Sequence, residues 1–285
     1  MNSVRIVLAS ASPRRRFLLK QIGLRFDVYP ADIGETLSPG ADPAEAVKLL
    51  SLEKAQHVAN CGLWNAIPDD GAKKGPINDP SDNDAKKARI NDSSESDQNR
   101  ARVNYSSEND KNKARINDSS DGDERKTLII GADTIVVLDG VILGKPSTPS
   151  HAADMLASLS GRTHQVYTGV ALLVVEGDDH GNNKSLSGGD GYSGRYAKGI
   201  IRHVFHERTD VTFGPLSEQE IKAYVDGGSP MDKAGAYGIQ DDLGALFVQR
   251  IDGDYYNVVG FPLYRFYREV NKLAPGIVTP FKPTK

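Results

Sequence analysis

Cysteine is nearly missing from this chain, with Cys61 alone among 285 residues. No intramolecular disulfide and no multi-cysteine zinc site can form, which suits a reducing compartment. Cys61 itself falls at the close of an expected helix, an inert position. Long apolar runs are also lacking, since no stretch approaches the roughly 18 uninterrupted apolar residues of a membrane span. The first residues lack the charged, apolar and small-residue segments of a secretory signal. The expectation is a cytoplasmic protein without a membrane partner. Nor does one sign of charge dominate: 35 Lys and Arg face 38 Asp and Glu, a formal net charge of −3. A general nucleic-acid binder is usually basic, so nucleic acid is excluded as the expected partner. Any anion site must be local.

What is present begins with an interruption. Residues 66–125 lose almost every large apolar side chain and fill with Asn, Asp, Ser, Lys and Arg. Gly75-Pro76-Ile77-Asn78-Asp79-Pro80-Ser81 returns at intervals of 13 as Ala88-Arg89-Ile90-Asn91-Asp92-Ser93-Ser94, then from Ala101 and again from Ala114. One isoleucine or valine per unit buries too little surface to offset chain entropy, so this tract is expected to be disordered. A tolerated surface insertion and a partner-binding or phosphorylation segment are both open for it. A second interruption, 177–199, is rich in Gly, Asn and Asp and reads as a long hairpin tip. The remainder is roughly 200 residues, a usual size for one compact α/β domain. Its charges balance, which favours a charged cleft over a broad basic face.

Val4 to Leu8 reads as a strand running into Ser12, a good N-cap, and Pro13, suited to the first helical position. Arg14, Arg15 and Arg16 then crowd the positive end of a helix dipole, where acidic side chains are preferred. A solvated basic turn is one reading. A bound phosphate is the other, because free N–H groups, serine hydroxyls and guanidinium forks would converge on it. Asp42-Pro43-Ala44-Glu45 reads as a capping box opening a helix to about Asn60. Lys54 falls on its apolar stripe, either snorkelling or reaching an anion. Leu128-Ile129-Ile130 reads as a short buried strand, which puts Asp133 at its carboxyl end, where ligands of open α/β sheets gather.

Asp139-Gly140 is a type I′ hairpin signal that delivers Gly144-Lys145-Pro146. These residues do not make a P-loop, because Gly140 is one position too close and Pro146 replaces the needed Ser or Thr. Lys145 can still meet a phosphate as a point charge. A helix over 150–159 and paired strands near 164–176 and 200–213 look like scaffold. His203 and His206 fall on opposite strand faces and make a poor metal pair. A capping box at Ser217 to Glu220 opens a helix to about Asp226. A glycine-dense segment follows from Gly227 to Gln240, then a hairpin about Asp252-Gly253-Asp254 and a helix from near Pro262.

Four separated segments carry a further pattern: Leu8-Ala9-Ser10-Ala11-Ser12-Pro13-Arg14-Arg15, Gly131-Ala132-Asp133-Thr134, Gly144-Lys145-Pro146, and Asp232-Lys233-Ala234-Gly235-Ala236-Tyr237-Gly238-Ile239-Gln240. Together they closely resemble the Maf family of nucleoside triphosphate pyrophosphatases, over essentially all of residues 3–270 except the two insertions. The resemblance implies a single α/β domain with a mixed sheet and two lobes around a central cleft, similar to the inosine triphosphatase fold, and a homodimer. It implies hydrolysis of a nucleoside triphosphate to the monophosphate and pyrophosphate. The Tyr-Gly-Ile-Gln ending resembles the branch acting on dTTP and UTP. A 7-methyl-GTP pyrophosphatase and a non-catalytic nucleotide-sensing regulator are the alternatives.

By that resemblance Asp133 corresponds to the catalytic proton acceptor, with Lys54 and Lys145 as catalytic cations. Arg14, Thr134 and Gln240 match positions associated with base selection. Ser10, Arg15, Glu35 and Asp232 match other cleft positions. A divalent cation, Mg²⁺ or Mn²⁺, is implied, held by Asp133 and Glu35.

Overall fold

A computed structural model describes residues 4–31, 33–34, 40–62, 126–176, 200–240, 243–273 and 277. The repeat tract at 66–125, the insertion at 177–199 and Glu35 lie outside these residues. Seven strands form one mixed sheet. β1 (Arg5–Leu8) pairs in parallel with β2 (Asp27–Val28) and with the start of β3 (Lys126–Leu138). The far edge of β3 pairs antiparallel with β5 (Thr163–Glu176), which pairs with β6 (Ile200–Phe213) and that with β7 (Val248–Asp252). β4 (Val141–Leu143) folds back on β3 through Asp139 and Gly140, both with positive φ, as a type I′ turn requires.

Leu128, Ile129 and Ile130 are all fully buried, as a continuous apolar run expects of a strand covered on both faces. On one face, Val7, Ile129 and Leu173 meet Ala55 and Val58 of α2 (Pro43–Cys61). On the other, Leu128, Ile130 and Leu172 pack with Leu18 and Leu19 of α1 (Pro13–Gln21) and with Phe266 and Val270 of α7 (Leu263–Leu273). Further along that same face, Val136, Val166 and Phe213 pack with Leu156 of α3 (Pro149–Leu159) and Tyr224 of α4 (Glu218–Asp226). Among the described residues no helix is long and apolar enough to cross a membrane.

Three local expectations change. Asp133 is not at a strand end: β3 continues to Leu138, because Ile135, Val136 and Val137 remain buried and paired to β5. Asp42 caps α2 by accepting from the Glu45 N–H at 2.9 Å, but Glu45 bonds Lys48, so the reciprocal half of the box is not made. Asp252-Gly253-Asp254 does not close a hairpin. Asp254 instead caps the short helix α6 (Tyr255–Val259), accepting from the Tyr256 N–H at 2.8 Å. The capping box at Ser217 and Glu220 is complete.

Two glycines bring α2 unusually close to the sheet. A Cβ on Gly131 would stand 2.1 Å from the Ser51 carbonyl oxygen, and one on Gly169 would stand 2.0 Å from that of Val47. The obstacle is helix backbone in both cases, so no side-chain rotation relieves it. Gly169→Ala is therefore expected to lower stability by about 1–3 kcal/mol, the usual range for overpacking. Gly214→Ala, with open space at its Cβ, is the matched control. Urea unfolding of the two variants reads the difference, and equal midpoints would show that α2 shifts without cost.

Candidate active site

β1 stops where Leu8 pairs with Ile130, and β4 ends where Leu143 pairs with Val136. Between them, residues 131–135 of β3 have no strand on that edge among the described residues. A cavity of about 340 Å³ opens there, bounded by the turn into α1, Lys54 of α2, the β4 connection and the glycine-dense segment. Because it opens on an edge, it meets side chains from both sheet faces. Asp133 points to the face covered by α2, and Thr134 to the opposite one, between the two apolar clusters.

Nine of the ten expected site residues line this one cavity: Ser10, Arg14 and Arg15 from the first turn, Lys54 from α2, Asp133 and Thr134 from β3, then Lys145, Asp232 and Gln240. Glu35, the tenth, lies outside the described residues. Lys54 does not snorkel. It is 7% exposed and its ammonium bonds the carboxylate of Asp133, itself 6% exposed. The close approach over Gly131 brings these two groups together, since Lys54 lies one turn beyond Ser51.

Ser12 caps α1 as the sequence expects, accepting from the Arg15 N–H. The three arginines after it do not act alike. Arg14 stays at the cavity, 3.4 Å from the Asp232 carboxylate. Arg15 turns into the wall: Nε donates to Gly260 O at 2.9 Å, Nη1 to Ala132 O at 2.8 Å and Ser10 Oγ at 3.1 Å, and Nη2 to Thr134 Oγ1 at 2.9 Å. Its bond to Ala132 O satisfies an edge carbonyl of β3 that no strand reaches. Arg15 thereby fixes the residues on either side of Asp133.

The glycine-dense segment folds into two short 3-10 turns, Ser229–Asp232 and Ala234–Ala236. Gly235 and Ala236 both have positive φ, and Gly235 N–H donates to Gly144 O at 3.0 Å. That bond ties the segment to the loop carrying Lys145. Tyr224 Oη accepts from the Gly238 N–H at 3.1 Å, and Tyr237 Oη lies 2.7 Å from His164 Nε2. Gln240 is held at the cavity by these anchors and is itself exposed. Partial burial pushes the Asp232 carboxyl up, but its bond to Lys233 and the charges of Lys233 and Arg14 outweigh that and hold it below the usual carboxylate range. Asp232 is thus ionised at neutral pH.

Sequence reasoning missed several contributors. Lys233 is 7% exposed, lines the cavity and bonds Asp232 Oδ1 at 2.6 Å and the Ser229 carbonyl. It sits in an irregular loop, where no periodicity marks a side chain as inward. Thr168 and Asn257, both fully buried, stand behind Thr134. Alternation in β5 assigns Thr168 a face, but nothing in the sequence pairs it with Thr134. His203 and His206 do part as expected, His203 to Glu269 of α7 and His206 against Tyr167.

Among the described residues no group of three or more His, Cys, Asp or Glu is arranged to hold a metal ion. The donor chemistry still suits a hard cation. Mg²⁺ is commonly bound by one or two carboxylates plus substrate phosphates, and Asp133 presents a carboxylate in a cavity also lined by Arg14, Lys145 and Lys233.

A sequence model described as "Maf-like protein" matches residues 5–71 and 78–273. A protein of Moorella thermoacetica called dTTP/UTP pyrophosphatase is 38% identical over 259 residues, covering 91% of this chain and 90% of that protein. Proteins of the same name from Salinibacter ruber and Bacillus cereus are 36% and 33% identical, covering 92% and 95% of this chain and 88% and 91% of their own lengths.

Proposed function

This chain belongs to the Maf family, and from that premise we propose that it hydrolyses dTTP and UTP to the nucleoside monophosphate and pyrophosphate. One observation carries the reading: Arg14, Lys54, Lys145 and Lys233 surround the Asp133 and Asp232 carboxylates in a single cavity. A triphosphate is the multiply charged anion that such a cluster of cations would bind. Preorganised cations aimed where charge grows are worth most in a water-poor site, so Arg14 and Lys145 would stabilise the charge developing on departing pyrophosphate.

Asp133 would accept the proton of the water that attacks the α-phosphorus. The Lys54 ammonium holds that carboxylate in place, and Arg15 fixes the backbone and side chain beside it. Mg²⁺ or Mn²⁺, when bound by Asp133 with Glu35 and the phosphate oxygens, would supply further neutralisation of the triphosphate. The assembly proposed is a homodimer, resting on the family resemblance alone. The cytoplasm is the proposed compartment, supported by the near absence of cysteine.

Incubating purified protein with dTTP, UTP, CTP or 7-methyl-GTP plus Mg²⁺ and measuring pyrophosphate tests the activity. Release from dTTP and UTP is expected, and its absence from all four would refute hydrolysis. Gln240 is expected to act on base choice. Its amide both donates and accepts, as the edge of thymine or uracil does, and a site built on such bonds rejects bases that leave them unmade. Gln240→Ala should blur the preference for UTP over GTP more than it slows UTP hydrolysis. An unchanged preference removes Gln240 from that role.

A further inference from the structure

Behind Thr134 runs a chain of hydrogen bonds whose direction is set at both ends. At one end Arg15 Nη2 lies 2.9 Å from Thr134 Oγ1. A guanidinium only donates, so the Thr134 oxygen must accept. At the other end Thr168 Oγ1 lies 3.2 Å from the Asn257 carbonyl oxygen. A carbonyl only accepts, so Thr168 is the donor in that bond. The bond between the two threonine hydroxyls is 2.9 Å long and could be donated from either side; run from Thr134 to Thr168 it gives both protons a well-placed acceptor, whereas the reverse direction leaves the Thr134 proton only a 3.4 Å contact. The other acceptor near Thr134, Gly260 O, is more distant at 3.4 Å and already takes the Arg15 Nε–H at 2.9 Å.

The far end is rigid. Asn257 Nδ2 donates to Val166 O and to Thr209 Oγ1, both at 3.0 Å, clamping the residue to β5 and β6. Its carbonyl also accepts from the Gly260 N–H at 3.0 Å, so that group keeps a partner even without Thr168.

Thr134 therefore meets the cavity with its proton committed and only a lone pair to offer. Phosphate oxygens, which are acceptors, gain nothing from it. A ligand N–H does. The neighbours on the same sheet face, Val136 and its cross-strand partner Val166, also line the cavity and are apolar, as a flat ring requires. We infer that Thr168 is a positioning residue for base choice: by taking the Thr134 proton, it makes Thr134 an acceptor for the imide N3–H of uracil or thymine and against cytosine, whose N3 is itself an acceptor. This rests on the proposed hydrolysis of dTTP and UTP and adds the physical origin of its selectivity.

Thr168→Val keeps the shape and removes the acceptor, so the Thr134 hydroxyl can rotate and donate to cytosine N3. The test compares kcat/KM for pyrophosphate release from UTP and from CTP in the wild type, Thr168→Val and Thr168→Ser. The UTP-to-CTP ratio is expected to fall about tenfold in Thr168→Val, the scale of one hydrogen bond, and to return in Thr168→Ser, which restores the hydroxyl. Should the valine variant fail to fold, Thr168→Ala removes the same hydroxyl without adding bulk and reads the same ratio. A ratio unchanged in the hydroxyl-free variant, even with both rates reduced, overturns the inference, as does an equal fall in Thr168→Ser. Wild-type protein that releases pyrophosphate from none of the nucleotides defeats the proposed function instead, so the two failures are distinct.

Discussion

Asp133→Asn is expected to lower kcat for dTTP hydrolysis by about a hundredfold to ten-thousandfold, the range associated with a positioned general base. The substitution is isosteric, and the new amide oxygen can still accept from Lys54. An amide nitrogen or oxygen does not take up a proton at neutral pH, so the chemical step loses its acceptor. Far-ultraviolet circular dichroism and nucleotide binding measured without divalent metal should stay near wild type while pyrophosphate release collapses. Wild-type turnover by the purified variant would remove Asp133 from the reaction.

The partner substitution separates chemistry from folding. Lys54→Met leaves the Asp133 carboxylate buried without its ammonium, and breaking a buried pair from one side costs about 3–5 kcal/mol. Denaturant unfolding should show that loss for Lys54→Met and a smaller one for Asp133→Asn, which leaves the buried Lys54 ammonium an acceptor but no counter-charge.

The second large effect is on stability in acid. His164 is fully buried between Phe213 and Tyr237, with Nε2 bonded to the Tyr237 hydroxyl and Nδ1 without a hydrogen-bond partner among the described residues. Burial lowers its pKa from 6.5 to about 4, against a smaller opposing pull from Asp210. The folded protein therefore holds a neutral imidazole where the unfolded chain would already be protonated. Between those two values the unfolded state binds more protons, so stability falls as pH drops from 6.5 toward 4 and is fully present above 6.5.

A tenfold change in proton affinity corresponds to about 1.4 kcal/mol, which puts this single contribution at about 3 kcal/mol across the window. Carboxylates titrate there too, so the informative quantity is a difference. His164→Gln keeps a neutral partner for Tyr237 and should lose less stability than the wild type between pH 7 and pH 4. Parallel stability-against-pH curves for the two proteins would show that His164 is not the group responsible. Because Tyr237 leads directly into Gly238 to Gln240, activity toward dTTP is expected to decline with the same acid limb.

Where the sequence was legible, local chemistry decided the outcome. Ser12 with Pro13 starts α1, Asp139-Gly140 turns β3 into β4, and Ser217 with Glu220 caps α4. Each is set by one or two residues whose preferences do not depend on distant parts of the chain. The strand pair, read near 164–176 and 200–213, was visible as two long runs on either side of a polar insertion. Asp252-Gly253-Asp254 misled because a hairpin signal and a helix cap use the same residue types. Only the packing of Asn257 and Val259 into the core selects the cap.

By itself, then, the sequence determined nine of the side chains that line the cavity and which family the chain resembles, because motif residues are carried in the chain whatever its path. Only the tertiary structure decided how they divide their tasks. Arg14 and Arg15 are adjacent and chemically identical, yet one faces the cavity and the other is bonded into its wall. Lys54 and Asp133 meet because two glycines let helix backbone rest on the sheet. The proton of Thr134 is directed by a carbonyl 123 positions further along the chain. Such relations depend on distance across the fold, and spacing along the polypeptide does not encode distance.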